Sequence, residues 1–285
     1  MRKLFYLLLV AFICTSCEKV LLNDELDAQD TDGNVILTFS PYSTGGFTRA
    51  ASNITEICNR LNIGIFDSDD AVVKTIAQKS GDSNYGTISL SLAEGTYKVI
   101  ALGHNKDASV AANSLTDISF SGGPTDVFLY YGTIEVGEET QTYNLSMNRV
   151  VSMFKLILTD ESIPSGVTKL SVSIAGGSIH INPSTGHGGT TKTAQKTDII
   201  IGESQTTFEI YTFPPQSEST ANITVTAKTD DGTTVATKVF ENVPLKVNEV
   251  TSYRGKLFDG VASVTASSLG FTADPDWAGT NEYTF

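Results

Sequence analysis

Short segments of alternating apolar and polar residues, cut by turn residues about every 8–12 positions, constrain this chain more than any other feature. Leu61, Ile63 and Ile65 share one face of Leu61–Phe66, and Ile88, Leu90 and Leu92 share one face of Thr87–Leu92. After Glu94-Gly95, Tyr97, Val99 and Ala101 alternate through Thr96–Leu102. Successive strand side chains point to opposite faces, so this period of two places one row in a core and the other in water. Val35–Phe39, Asp126–Gly132 and Thr140–Leu145 complete a first set of strands. The second set comprises Val150–Leu158, Leu170–Ile174, Ser178–Ile181, Asp198–Ile201, Phe208–Tyr211, Ile223–Ala227, Thr234–Phe240 and Ser252–Phe258. Asp230-Asp231-Gly232 signals a hairpin turn, and Pro214-Pro215 ends a strand or crosses between sheets. Helical pattern is confined to Asn53–Arg60 and Ser109–Leu115. The expected fold is all-β, with two antiparallel β-sandwich domains in tandem spanning 35–146 and 147–260.

The N-terminus carries a separate signal. Arg2 and Lys3 precede an apolar run from Leu4 to Ile13, which Cys14-Thr15-Ser16-Cys17 closes. Such a stretch is too short to span a bilayer and reads as a secretory signal peptide over 1–16. The small residues before Cys17 resemble the lipobox of bacterial lipoproteins, although Cys14 stands where Leu is more usual. That resemblance implies a lipid on Cys17, which becomes the new N-terminus. The alternative is an ordinary signal peptide or a membrane anchor, with Cys17 incidental. If Cys17 is acylated, Cys58 is the one remaining thiol, and the fold must rest on its hydrophobic core rather than on a disulfide. Each buried CH₂ of a lipid contributes about 0.8 kcal/mol, so two or more chains give stable anchoring. Residues 17–34 are polar and acidic and read as a tether. Removing Arg2 and Lys3 from the 19 basic residues leaves 17 against 32 acidic, a net charge of −15. That balance disfavours nucleic acid and anionic membrane faces.

Signs of catalysis are thin. The chain has no G-x-S-x-G elbow, no P-loop and no H-E-x-x-H helix. His104, His180 and His187 are scattered; His187 falls in a Gly-rich loop and His180 opposite the Ile179/Ile181 face of its strand. The acidic stretch 28–33 fails the EF-hand pattern at Ala28 and Phe39, and Asp67-Ser68-Asp69-Asp70 reads as a solvated turn. No metal or cofactor is called. Phe39, Phe66 and Phe154 sit in apolar strands as core residues, whereas adjacent Tyr130 and Tyr131 must face opposite ways.

The order of segments resembles the fimbrillin family of type V pili. The resemblance rests on the lipobox at Cys17, the first strand Val35–Phe39 with Thr48-Arg49-Ala50 about ten residues later, and the block from Leu92 to Val99. It rests also on the blocks Met147–Leu156, Tyr211-Thr212-Phe213-Pro214-Pro215 and Thr251–Phe258, and on a tail bearing Trp277. It implies two transthyretin-like β-sandwiches and a mechanism of assembly. In polymerising members a protease cuts after an arginine behind the first strand. That strand leaves, and C-terminal strands of another subunit fill the groove by β-augmentation. Donor and acceptor surfaces differ, so the contact propagates as a filament.

Carried onto this sequence, Arg49 and Ala50 flank the cleavage point, and Val35, Leu37 and Phe39 are the apolar residues of the displaced strand. Residues 261–285 form the tail, where Val261, Val264, Leu269, Phe271 and Trp277 are the donor candidates. At Arg49 the alternative is a plain surface arginine; for the tail it is closure of the chain's own domain. Implied partners are other fimbrial subunits, the outer membrane through the lipid, and a host or bacterial surface ligand. The role as shaft, anchor or accessory subunit stays open. The rival reading is a glycan-binding lipoprotein of the outer surface.

Overall fold

A computed structural model of the chain describes residues 33–41, 54–189, 194–202, 204–258 and 277–285. Its first half runs β1 (Val35–Pro41), α1 (Ile54–Ile57), β2 (Arg60–Phe66), β3 (Val72–Lys79), β4 (Thr87–Leu90), β5 (Gly95–His104), β6 (Ile118–Ser119), β7 (Val127–Val136) and β8 (Gln141–Arg149). The second half runs β9 (Ser152–Leu158), β10 (Val167–Ala175), β11 (His180–Asn182), β12 (His187–Gly188), β13 (Gln195–Ile200), β14 (Thr207–Thr212), β15 (Glu218–Thr229), β16 (Thr234–Lys246), β17 (Glu249–Gly255) and β18 (Gly279–Thr284).

The apolar rows close against one another as two sandwiches. In the first half the strands bond in the order β3-β2-β5-β7-β8-β1-β4. β7 and β8 pair only at Phe128↔Arg149 and Leu129↔Asn148, and there the sheet divides into two layers. Leu61, Ile63, Ile65 and Val99 of one layer pack on Val35, Leu37, Phe39 and Ile88 of the other. In the second half, β13-β10-β15-β16 faces β14-β9-β17-β18 across Leu170, Val172, Ile223, Phe154, Leu156 and Phe208.

The two halves repeat one topology. β3-β2-β5-β7 corresponds to β13-β10-β15-β16, and β4-β1-β8 corresponds to β14-β9-β17. In each half the first strand runs parallel to the last: β1 to β8, and β9 to β17. The second half adds β18, parallel to β17 on its far side. Between the halves lies a third apolar cluster containing Ile100, Leu102, Phe120, Val151, Ile181, Phe213 and Trp277. The sheet β12-β11-β6 takes strands from both halves. This cluster explains why β5 is buried on both faces beyond Val99: one face meets the first core and the other meets the junction.

Several expectations are corrected. Ser109–Leu115 forms no helix; Val110 and Ala112 are instead buried in the junction cluster. Asn53–Arg60 yields the single turn Ile54–Ile57, because β2 already begins at Arg60. β3 and β18 escaped the alternation, since Val72 and Val73 of β3 are 47% and 45% exposed and β18 is polar. Tyr130 and Tyr131 diverge as expected: Tyr130 packs on the first core and Tyr131 is exposed.

Candidate functional site

β1 occupies the middle of its layer. Val35, Leu37 and Phe39 are 0%, 0% and 2% exposed, all pointing into the first core. On one side β1 pairs antiparallel with β4 (Leu37↔Ile88), and on the other it pairs parallel with β8 (Leu37↔Tyr143). Asn34 fixes its entry, with Nδ2 donating to the Leu92 carbonyl and Oδ1 accepting from the Leu92 N–H at 2.9 Å each. Each such apolar side chain contributes about 1.5–3 kcal/mol by burial, so β1 is a structural strand of its half. Lifting it out would leave two rows of unpaired backbone groups, on β4 and β8, flanking an apolar cleft. Arg49, Ala50 and Cys17 lie outside the described residues, as do Val261, Val264, Leu269 and Phe271.

The described end of the tail packs within its own chain. β18 pairs with β17 from Glu249↔Gly279 to Arg254↔Thr284. Phe285 packs edge-on to Phe240 with ring centres 5.1 Å apart, and its backbone closes over Gly255, where a Cβ would meet the Phe285 carbonyl oxygen at 1.9 Å. Tyr283 stacks on Tyr253 at 4.7 Å.

Trp277 is 7% exposed and seats at the junction. The Arg149 guanidinium lies 3.9 Å from its ring and 4.7 Å from that of Phe128. Arg149 also grips Asp126 with two bonds, Nε to Oδ1 at 2.7 Å and Nη2 to Oδ2 at 2.9 Å, and donates from Nη1 to Asn248 Oδ1 at 2.9 Å. Asn248 adopts a positive φ of 60°, a conformation that asparagine tolerates better than most residues. Its N–H donates to the Val151 carbonyl, and its own carbonyl accepts from the Ala278 N–H. One knot thus ties the end of β8, the β16–β17 turn and the tail. Sequence reading flagged Arg149 only as part of a family-like block, and Trp277 as a candidate of the donor tail, whereas here Trp277 packs at its own chain's junction. Asp126 and Asn248 gave no local signal, because the four residues converge only in the fold.

The other polar clusters that the sequence singled out are bonded within the fold. Ser178, His180 and Asp117 come together, but Ser178 Oγ donates to the His180 carbonyl while His180 Nδ1 meets Asp117 Oδ1 at 2.8 Å. The hydroxyl therefore does not address the imidazole, as a nucleophile–base pair would require. His180 and His187 are half-buried rather than open on the surface. Asp67 Oδ1 accepts from the Asp69 and Ala71 N–H groups in a tight turn. Among the described residues no group of three or more His, Cys, Asp or Glu side chains is placed to hold a metal. Cys58 is buried, and burial, with the Asp126 charge second, pushes its thiol up to about 12. His104 is fully buried, its Nε2 paired with Asn62 Oδ1 and its Nδ1 facing the Lys106 N–H.

These features define a tandem β-sandwich protein built from strand seats and packed junctions. The chain belongs to the family of fimbrillin-A associated anchor proteins Mfa1 and Mfa2, whose model matches residues 27–253. No curated protein sequence matches it. Among solved structures it is similar to the fimbrial anchor protein Mfa2 from Porphyromonas gingivalis, with 16% identity, TM-score 0.38, and coverage of 72% of this chain and 80% of that one. A fimbrial assembly protein from Parabacteroides distasonis gives 13% identity, TM-score 0.40, and coverage of 77% and 88%. A candidate adhesin from Bacteroides ovatus gives 14% identity, TM-score 0.47, and coverage of 72% and 76%.

Proposed function

We propose that this chain is a non-catalytic subunit of a type V fimbrium, exported as a lipoprotein with its lipid on Cys17 and held at the outer membrane surface. It joins other fimbrial subunits by donor-strand β-augmentation and so supports cell adhesion. The observation that carries this reading is the position of β1, the first described strand, which lies between β4 and β8 with Val35, Leu37 and Phe39 buried in the core. With β1 gone, backbone N–H and C=O groups on both flanking strands would bind an extended segment, and the places of Val35, Leu37 and Phe39 would select its alternate side chains. Membership of the anchor-protein family supports the fimbrial setting and favours a role at the base, where lipid and β1 are both kept. Cleavage between Arg49 and Ala50 would instead free β1 and make the chain a polymerising subunit.

Mass spectrometry of the mature N-terminus from native cells separates these roles. A chain that begins at lipidated Cys17 supports the anchor, and one that begins at Ala50 supports the polymerising subunit, in which Arg49→Ala must block subunit addition. An unlipidated chain with an intact β1 that never co-purifies with fimbriae would overturn the reading. The glycan-binding alternative needs an aromatic platform, and among the described residues Tyr131 is the one exposed aromatic.

A further inference from the structure

The internal repeat exposes a difference between the halves. In parallel pairing, alternate residues of a strand turn their N–H and C=O groups to opposite neighbours. On β17 the Gly255 carbonyl turns to β9's side, accepting from the Thr159 N–H, and the Arg254 carbonyl turns to β18's side, accepting from Phe285. On β8 the Gln141 N–H donates to Asn34 at the head of β1, so Thr142, Asn144 and Ser146 turn their backbone groups the other way. In the second half that side of the strand is covered by β18. In the first half no strand pairs with it among the described residues, because β7 rejoins β8 only at Asn148 and Arg149. The chain passes from β8 at Arg149 to β9 at Ser152, too short an interval to supply a covering strand. Across the gap the Tyr143 hydroxyl donates to the Glu135 carbonyl of β7, whose own edge beyond Leu129 is likewise unpaired by β8 but carries Glu135.

The β8 edge also lacks the usual protection. Exposed edge strands are blunted by charge, proline or shortness. Among the other edges, β3 carries Lys74 and Lys79, β13 carries Lys196 and Asp198, and β14 carries Glu209. β16 carries Lys238, Pro244 and Lys246, β18 carries Glu282, and β4 is only four residues long. Residues 141–148 of β8 hold no charge and no proline, and Thr142, Asn144 and Ser146 are exposed.

We propose that β8 pairs antiparallel with β8 of a second copy of this chain, about a two-fold axis through Asn144. The register follows from the open groups: Asn144 faces its partner's Asn144, and Thr142 faces the partner's Ser146. Both copies then satisfy the same three residues, the arrangement of an isologous two-fold contact. The uncharged edge matters because each copy carries a net charge of −13, and like charges placed directly opposite would oppose pairing. The resulting sheet runs β4-β1-β8 and then the same three strands in reverse. This seat differs from that of β1, which remains filled, so the contact does not depend on strand displacement.

The test uses the full-length chain with Cys14→Ser and Cys17→Ser, so that Cys58, which is buried, is the only background thiol. Sedimentation velocity should show a dimer that Asn144→Pro returns to monomer. The altered N–H points away from β1, so that variant keeps the β1–β8 ladder, and circular dichroism verifies its fold. Directly opposed residues in the bonded register lie about 5.5 Å apart at Cα, within disulfide range. Under mild oxidation Asn144→Cys should therefore cross-link with itself. Thr142→Cys and Ser146→Cys should each stay free of cross-links alone and cross-link when mixed. A monomeric wild-type chain overturns the proposal. So does a mixed sample that fails to cross-link, or self-linking by Thr142→Cys, which would mean another register. A cross-link from Asn144→Cys to Glu282→Cys would overturn it in favour of strand addition by β18 of a second copy.

Discussion

Acid should draw down the stability that neutral His104 contributes, beginning near pH 6.5. Both ring nitrogens of this residue are committed, Nε2 to Asn62 at 2.8 Å and Nδ1 to the Lys106 N–H at 3.1 Å. Asn62 Oδ1 accepts, so Nε2 carries the proton and the ring is neutral. Burial chiefly, then the charges of Arg60 and Lys106, lowers its pKa from 6.5 to about 4. The neutral form is the one the fold favours, so the unfolded chain takes up the proton first. The contribution is complete above pH 6.5 and is lost as pH falls toward 4. At about 1.36 kcal/mol for each pK unit, the full loss is about 3 kcal/mol, of which about 2 kcal/mol is gone by pH 5. Urea unfolding from pH 7.5 to 4.5 measures it, with His104→Gln as the reference, because the amide keeps polarity but does not titrate there. The difference between wild type and variant should narrow by about 2 kcal/mol between pH 7 and pH 5. Two parallel curves would refute the argument, since carboxylates and the other histidines are common to both proteins. His104 also meets Phe120 edge-on at 5.7 Å, so the same acid step should loosen the junction between the halves.

Two further outcomes follow from buried polar chemistry. Asp126→Ala strands the Arg149 guanidinium, 8% exposed, without its bidentate partner, and should cost about 3–5 kcal/mol, whereas the double change Asp126→Leu with Arg149→Met should cost less than Asp126→Ala alone. Equal costs in urea unfolding would show that the ion pair is not what holds the knot. Cys58, buried and with its thiol pushed up to about 12, should react with a thiol reagent at pH 8 only at the rate of unfolding; labelling that is fast in buffer and insensitive to urea would contradict its placement.

What the sequence makes legible is what depends on local alternation. Val35, Leu37 and Phe39 stand at period two, and all three are buried. Leu61, Ile63 and Ile65 show that pattern too, yet β2 is buried at every position after Arg60, because Phe66 enters the junction cluster on its other face. A strand covered on both sides looks locally like an apolar run, and nothing in the run says what covers it. Ser109–Leu115 misled for a related reason: its alanines suit a helix, but Val110 and Ala112 are buried in the junction cluster and the segment forms no helix. The Arg149 knot was illegible because Asp126 and Asn248 stand 23 and 99 residues from Arg149 in the chain. β18 could have been suspected from Tyr283 and Phe285, which alternate, but its partner β17 is parallel and distant, so no hairpin signal marks it.

Under the assembly proposed above, the repeat accounts for β1, rather than its counterpart, as the strand that a single cut would release. β1 and β9 hold the same position, each parallel to the last strand of its half and antiparallel to the short strand beside it. β9, however, follows β8 after only Val150 and Val151, both buried, and Arg149 is tied into the knot beside Trp277. Pulling β9 out would therefore tear the junction as well as its own ladder. In the chain, β1 is separated from α1 by residues 42–53, the stretch that contains Arg49. With one peptide bond broken there, the described contacts that would still hold β1 are its two ladders, the Asn34 bonds to Leu92 and three core side chains. In the proposed assembly an incoming strand would replace the ladders and the apolar side chains pairing for pairing, so no sheet edge need stand unsatisfied. The two seats are alike in sheet position but differ in how the chain enters them, so the strand exchange proposed above would fall on the first half.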